Sequence, residues 1–323
     1  MSTLTGLAPQ IQSFTGTRPF EYAQVDVFTD EPLAGNMLAI FTNARGLTSG
    51  EMQALARETN LAETAFIVPR EAEIERERGV QVRIFTTQEE LEFAGHPTLG
   101  TASWLHWNHP VLRGAEVVTL DLRVGSIPVR FGPQVPGKRG VFGTMEQRDP
   151  VFGAIHDPQA VARVLGLSVD DLDPNLPIQT VSTGMGFCIV PLRSMEVAAR
   201  LSIPQSAAQA YLADSDAKFF HCITRSPESS ASDWHARMQF YNGEDPATGS
   251  ASGCAIAYLV RHGAARSGQP ILIEQGVEIR RPSRIYAQAT REEADRAEEQ
   301  PRIGKVFVGG RTIPVALGRF FLP

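Results

Sequence analysis

Cysteine is scarce in this chain. The three present, Cys188, Cys222 and Cys254, lie far apart and form no C-x-x-C pair. That spacing excludes a disulfide framework and a structural zinc site, and it predicts a reducing, cytoplasmic compartment. Long hydrophobic runs are missing too: no segment approaches the roughly 20 apolar residues of a membrane span. Residues 1–20 lack a basic start followed by a hydrophobic block, so they read as a polar, mobile lead-in and not as a secretory signal. Nor is there an excess of positive charge. Lys and Arg number 30 against 36 Asp and Glu, for a net charge of -6. This balance argues against nucleic acid or a membrane surface as partner.

What remains is an ordinary globular composition, 42% apolar and 20% charged over 323 residues. That is more chain than one core usually holds, so two domains are expected. Tyr22–Phe28 alternates as a strand. Thr48 and Glu51 form a capping-box pattern ahead of a helical stripe at Met52, Leu55 and Ala56. Thr64–Val68, Val80–Phe85, Val117–Val124 and Ile127–Phe131 read as strands, and Thr98–Trp107 reads as a helix. Asp149-Pro150 is the preferred domain boundary. Beyond it, helices are expected at Pro158–Leu165, Met195–Leu201 and Thr248–His262, and strands at Arg237–Tyr241 and Val277–Arg280. The charge run Arg291–Gln300 reads as a solvated insertion. Gly309-Gly310 reads as a turn between Lys305–Val308 and Thr312–Leu317. Helices and strands alternate, but the turn signals favour hairpins. The expected class is therefore α+β with a mixed or mainly antiparallel sheet.

One pattern stands above this background. His96-Pro97-Thr98-Leu99-Gly100-Thr101-Ala102 returns as Asp245-Pro246-Ala247-Thr248-Gly249-Ser250-Ala251. Proline, glycine and alanine coincide, and Thr101 is matched by Ser250. An arginine-bearing strand, with Arg83 or Arg237, precedes each copy, and an apolar helix follows. The repeat falls close to half a chain length away, which predicts a duplicated domain. Its chemistry suits an anion. Proline fits the first helical turn, glycine admits a close ligand, and the unpaired N–H groups of a helix start favour a carboxylate. Taken singly, Asp245 also fits an ordinary N-cap and His96 an ordinary core or surface histidine. Glu63, at the start of an apolar stretch, is either an edge carboxylate facing water or a desolvated acid with a raised pKa.

Together these segments resemble the phenazine-biosynthesis F family, whose fold is that of diaminopimelate epimerase. The matching pieces are Val25-Asp26-Val27-Phe28-Thr29 with Gly35-Asn36, Glu58-Thr59-Asn60-Leu61-Ala62-Glu63-Thr64, and Phe93-Ala94-Gly95-His96-Pro97-Thr98-Leu99-Gly100. Val181-Ser182-Thr183-Gly184, Glu244-Asp245-Pro246-Ala247-Thr248-Gly249-Ser250-Ala251 and Arg281-Pro282-Ser283 follow in family order. The resemblance implies two pseudo-symmetric domains, each a half-barrel around a central helix. Residues 21–148 plus 312–323 would form the first and 149–311 the second, since the family's last strand returns to the first domain. It also implies a homodimer, a small carboxylate substrate and no metal or organic cofactor. Glu63 would be the proton-moving acid/base, with His96 and Asp245 as its catalytic partners. Gly95, Gly249, Ser250 and Asn36 would bind substrate. The family usually carries serine before the glutamate. Ala62 stands there instead, so a hydroxyl able to bond substrate is lacking.

The related epimerases and racemases use two cysteines, which would fall near Gly95 and Asp245. Neither is cysteine, and Cys254 reads as core, so two-thiol chemistry is disfavoured. Two other readings stay open: a non-catalytic acid-binding or interaction protein retaining the fold, and a metal-dependent hydrolase or lyase drawing on His96, His106 and His109. The last lacks a recognised ligand pattern.

Overall fold

The computed structural model describes residues 16–240, 243–292 and 302–323. The first half runs β1 (Arg18–Val27), β2 (Asn36–Phe41), α1 (Ser49–Thr59), β3 (Thr64–Ile67), α2 (Ala72–Arg78), β4 (Val80–Phe85), β5 (Glu90–Leu91), α3 (Gly95–Asn108), β6 (Val117–Leu122), β7 (Gly125–Phe131) and β8 (Val141–Glu146). The second half runs β9 (Val151–Ile155), α4 (Pro158–Val164), β10 (Gln179–Ser182), β11 (Gly186–Pro191), α5 (Met195–Arg200), α6 (Gln205–Leu212), β12 (Phe219–Arg225), β13 (Trp234–Phe240), β14 (Gly243–Glu244), α7 (Gly249–Arg261), β15 (Ile271–Gln275), β16 (Ser283–Glu292) and the long β17 (Arg302–Leu322).

The same pairing order appears twice. In the first half, β1 and β2 are antiparallel, β2 and β3 parallel, β3 and β4 antiparallel, β4 and β6 parallel, β6 and β7 antiparallel. In the second, β10 to β13, then β15 and β16, repeat that sequence of directions step for step. The first ring closes because β17 pairs with β8 through Phe307–Thr312 and with β1 through Thr312–Leu322. Each ring surrounds one buried helix, α3 in the first and α7 in the second. Both helices are buried over most of their length, with small, apolar or hydrogen-bonded residues on their enclosed faces. The outer faces are covered unequally. One helix, α1, packs over Phe20, Phe41, Phe66 and Phe85 in the first half. Three, α4, α5 and α6, pack over Cys188, Val190, Phe220 and Cys222 in the second.

Local chemistry sets the ends of these elements. Thr48 and Glu51 form the expected capping box of α1, each side chain meeting the other's backbone N–H. Such a cap contributes about 1 kcal/mol. Asp157 caps α4, with Pro158 in the first turn.

Several expectations are corrected. Gly309 and Gly310 do not turn: they lie inside β17, paired with Thr144 and Gly143. Their smallness serves close packing. A Cβ at Gly309 would lie 2.6 Å from the Gly143 carbonyl oxygen, and one at Gly310 would lie 2.5 Å from the Phe28 ring. Val277–Arg280 is a turn, not a strand, with Arg280 at φ 58°. Arg18, Pro19 and Phe20, read as lead-in, begin β1 opposite Leu322, Phe321 and Phe320. The short β9 and the helices α2 and α6 escaped the periodicity reading. Residues 1–15, Tyr241 and most of the charge run (293–300) lie outside the described residues.

The two halves are tied beneath the helix starts. Arg281 donates Nε to the Gly35 carbonyl at 2.9 Å and an Nη to buried Asp26 at 2.7 Å. The Gly35 N–H donates to the Pro282 carbonyl at 3.0 Å, and the Arg284 N–H to the Phe28 carbonyl at 2.7 Å. The Gly35-Asn36 and Arg281-Pro282-Ser283 segments thus form one joint between halves.

Candidate active site

The starts of α3 and α7 meet head to head. A Cβ added at Gly95 would lie 3.1 Å from the Ser250 backbone nitrogen and 3.3 Å from Gly249 Cα. Larger residues would push the two helix starts apart. The first N–H groups of each helix have no partner within the helix, and both dipoles present positive ends to the same place. Here the sequence repeat needs a change of register. Gly95 opens α3 and Gly249 opens α7, so His96 sits inside its helix while Asp245 precedes its own. The matched scaffold is a different set. Arg83 grips Glu90 with two bonds of 2.7 and 2.6 Å, and Arg237 grips Glu244 with two of 2.8 and 2.5 Å. The Thr98 hydroxyl returns to the Ala94 carbonyl at 2.7 Å, as the Ser252 hydroxyl returns to the Thr248 carbonyl at 2.9 Å.

Glu63, His96 and Asp245 line a single chamber together with Gly95, Gly249 and Ser250. Thr248 also lines it, and the rest of its wall, chiefly Leu91, Phe93, Met185, Phe187, Met238 and Phe240, is apolar. The chamber encloses about 30 Å³. That is room for a water or two, not for a substituted six-membered ring. A wider depression of about 510 Å³ adjoins it, sharing Leu91, Phe93 and Met185.

Burial sets the protonation states. Desolvation raises the Glu63 pKa well above the usual carboxylate range, and the Asp245 charge adds to the rise. Desolvation also lifts Asp245 to about 7, against hydrogen bonds from Thr248 and Asn36 that pull it down. His96 is pushed down to about 3 by burial, against a bond to the Met37 backbone that favours the cation. The ring is therefore neutral near pH 7. Its Nε2 has no partner. It lies 3.7 Å from Glu63 Oε2. That approach is not an ion pair, since burial favours the uncharged form of both groups.

Asn36, expected against the substrate, lies behind Asp245. Its Nδ2 donates to Asp245 Oδ1 at 2.7 Å and to the Ala247 carbonyl at 2.9 Å. Thr248 and Gln275 went unmarked in the sequence, yet both are buried beside Asp245. Their signal was faint. Thr248 stood only as the first residue of an expected helix, and Gln275 comes from β15, remote in sequence. Cys254 is buried within α7, its thiol pushed up to about 11 by burial, which makes it unreactive.

The phenazine biosynthesis-like protein family matches residues 25–318 of this chain. The chain belongs to that family. A trans-2,3-dihydro-3-hydroxyanthranilate isomerase from Pseudomonas aeruginosa is 33% identical over 308 residues, covering 93% of this chain and 99% of the relative. A phenazine biosynthesis protein of the PhzF family from Bacillus anthracis superposes with a TM-score of 0.81 at 27% identity, covering 94% of this chain and 99% of that one. A hydroxyproline epimerase from Agrobacterium vitis shares the fold at TM-score 0.62 and 10% identity, covering 94% of this chain and 93% of its own. The architecture is thus the α+β, diaminopimelate epimerase-like fold. Within the phenazine biosynthesis-like family, the chain is an isomerase. No helix among the described residues is long and apolar enough to cross a membrane.

Proposed function

We propose that this isomerase moves a proton between two carbons of one small, unsaturated or cyclic carboxylate, with Glu63 as the shuttling acid/base. The observation that carries the reading is a buried glutamate in the same chamber as two opposed helix starts. The N–H groups of Gly95, Gly249 and Ser250 hold the substrate carboxylate. The apolar walls then press the ring against Glu63. In its ionised form Glu63 takes a proton from a ring carbon, and its raised pKa makes it a stronger base than an exposed carboxylate. The acid so formed returns that proton to a different carbon of the same molecule. The product is an enol that relaxes to the ketone. Asp245 and the Nε2 of His96 supply the donor and the acceptor that fix the substrate's polar groups.

The reading includes no metal or organic cofactor. It places the active form as a homodimer in a reducing cytoplasm, consistent with three free, buried cysteines. The catalytic cleft lies between a first unit of about 21–148 plus 312–323 and a second of about 149–311. Since a ring does not fit the closed chamber, the two units part to admit it. Ala62 offers only a methyl and its backbone where a hydroxyl would bond substrate, so the preferred acid lacks one polar group at that point.

The test is incubation with trans-2,3-dihydro-3-hydroxyanthranilate, the compound named in the relative's activity, in heavy water, with deuterium at carbon followed by NMR. Wild type incorporates label during turnover. Glu63→Gln loses about 10²- to 10⁴-fold in rate, the usual contribution of a general acid/base. Equal labelling by both proteins rejects Glu63 as the shuttle.

A further inference from the structure

The groups behind Asp245 have hydrogen-bond directions fixed by main-chain atoms. A backbone N–H can only donate and a backbone carbonyl can only accept. The Thr248 N–H donates to Gln275 Oε1 at 3.2 Å, and Gln275 Nε2 donates to the Asp245 backbone carbonyl at 2.8 Å. These two contacts settle which end of the Gln275 amide is which. Nε2 then also faces the Thr248 hydroxyl oxygen at 3.0 Å and donates to it. Thr248 Oγ1 thereby receives one hydrogen, and its own is directed to Asp245 Oδ2 at 2.5 Å. On the opposite side Asn36 Nδ2 is fixed by the Ala247 carbonyl and donates to Asp245 Oδ1. Both carboxylate oxygens are thus met by donors from behind. An acidic proton on Asp245 is left only the lone pairs facing the chamber.

We propose that Gln275 is a positioning residue for the isomerase, acting through the Thr248 hydroxyl to hold the Asp245 proton toward the substrate. The inference rests on the reading of Asp245 as part of the catalytic set, but the relay itself is a property of the resting protein. Gln275 is buried at 0% exposure, so water does not substitute for its amide. Without the Gln275 donor, the Thr248 hydroxyl is free to rotate and to accept a hydrogen from Asp245 instead. The ionised carboxylate then loses a bond that stabilised it, and the acid form gains one. The other groups bearing on this carboxyl are acids or neutral: Glu63 before β3 and Glu244 on β14 oppose its ionisation, while His96 on α3 is uncharged. Arg237, across the sheet, is committed to Glu244. No cation takes over the role of the hydroxyl.

The experiment titrates Asp245 directly, by the ¹³C chemical shift of labelled aspartate carboxyls, with the resonance assigned through Asp245→Asn. In Gln275→Met and in Thr248→Val the Asp245 midpoint rises, and the double variant rises no further than Thr248→Val alone. Thr248→Ser keeps the hydroxyl and keeps the wild-type midpoint, which separates the relay from general loosening of the fold. Gln275→Leu, close in size, uncharged and without a donor, also raises the midpoint and serves should Gln275→Met fail to fold. An unchanged midpoint in both Gln275 variants, or additive shifts in the double variant, overturns the relay. Activity on trans-2,3-dihydro-3-hydroxyanthranilate is read separately. A wild type that places no deuterium on carbon of that acid or of any dihydro-hydroxy analogue in heavy water rejects the functional reading and leaves the titration result standing.

Discussion

The two halves share one plan and use it for different ends. In each, an arginine on an inner strand grips a glutamate seven residues on, and that pair braces the approach to a central helix. The first half keeps this brace near the surface: Arg83 is 23% exposed, and its remaining bond goes to the Ser49 hydroxyl at the start of α1. The second half buries it. Arg237 is 11% exposed, and its other Nη bonds the Ala198 and Leu201 carbonyls at 2.7 and 2.6 Å, at the end of α5. The same division holds at the helix starts. The first contributes side chains with little support, a neutral His96 and a desolvated Glu63. The second contributes an acid held from behind by Asn36, Thr248 and Gln275. On the proposed reading, the two helix starts share one anion, the first side brings the reactive acid, and the second brings an acid held in place.

That contrast is open to direct attack. The largest stability effect is expected at the braces. Arg237→Leu strands the half-buried Glu244 and frees two carbonyls of α5, and it costs about 3–5 kcal/mol, as for a broken buried pair. Arg83→Leu costs less, about 1–2 kcal/mol, because Arg123 lies 3.5 Å from Glu90 and remains as a partner. Urea unfolding of the two variants checks the order. Equal losses erase the distinction between halves.

A smaller effect of opposite sign is expected at His221. It lies on β12 facing the second core, opposite Met238, with both ring nitrogens unpartnered. Burial pushes its pKa down to about 3. An unfolded histidine takes its proton near pH 6.5. The unfolded state thus binds more protons from about pH 6.5 down to about 3, and native stability falls as pH falls through that window. His221→Leu removes two unsatisfied polar atoms and this titration. It stabilises the protein by about 1–3 kcal/mol at pH 7, and the gain widens toward pH 5. Thermal melts at the two pH values decide it; a variant that melts lower than wild type at both contradicts the account of this core.

Much of this was legible in the chain. The capping box at Thr48 and the helices after Gly95 and Thr248 follow from spacing and residue type, whereas the roles of Glu63, His96 and Asp245 came from the family resemblance, local sequence leaving them open. The structure brings Glu63, His96 and Asp245 to one chamber, although they come from distant segments. The repeat was visible, but in a shifted register. Pro97 and Pro246 sit in matching strings of proline, glycine and alanine, yet one lies inside its helix and the other ahead of it. Local likeness outweighed the Arg–Glu braces, whose meaning depends on strand pairing. Gly309-Gly310 looked like a turn because turn chemistry and close packing call for the same residue. Gln275 gave no signal, since a buried glutamine is defined by what it faces.

The central claim is that the starts of α3 and α7 together grip one carboxylate beside Glu63. The most direct measurement is difference electron density from a crystal soaked in an aromatic 2-aminocarboxylate. The account predicts the carboxylate within hydrogen-bond reach of the Gly95, Gly249 and Ser250 nitrogens, with the ring against Glu63. A carboxylate bound elsewhere, or held by one helix start alone, would contradict it.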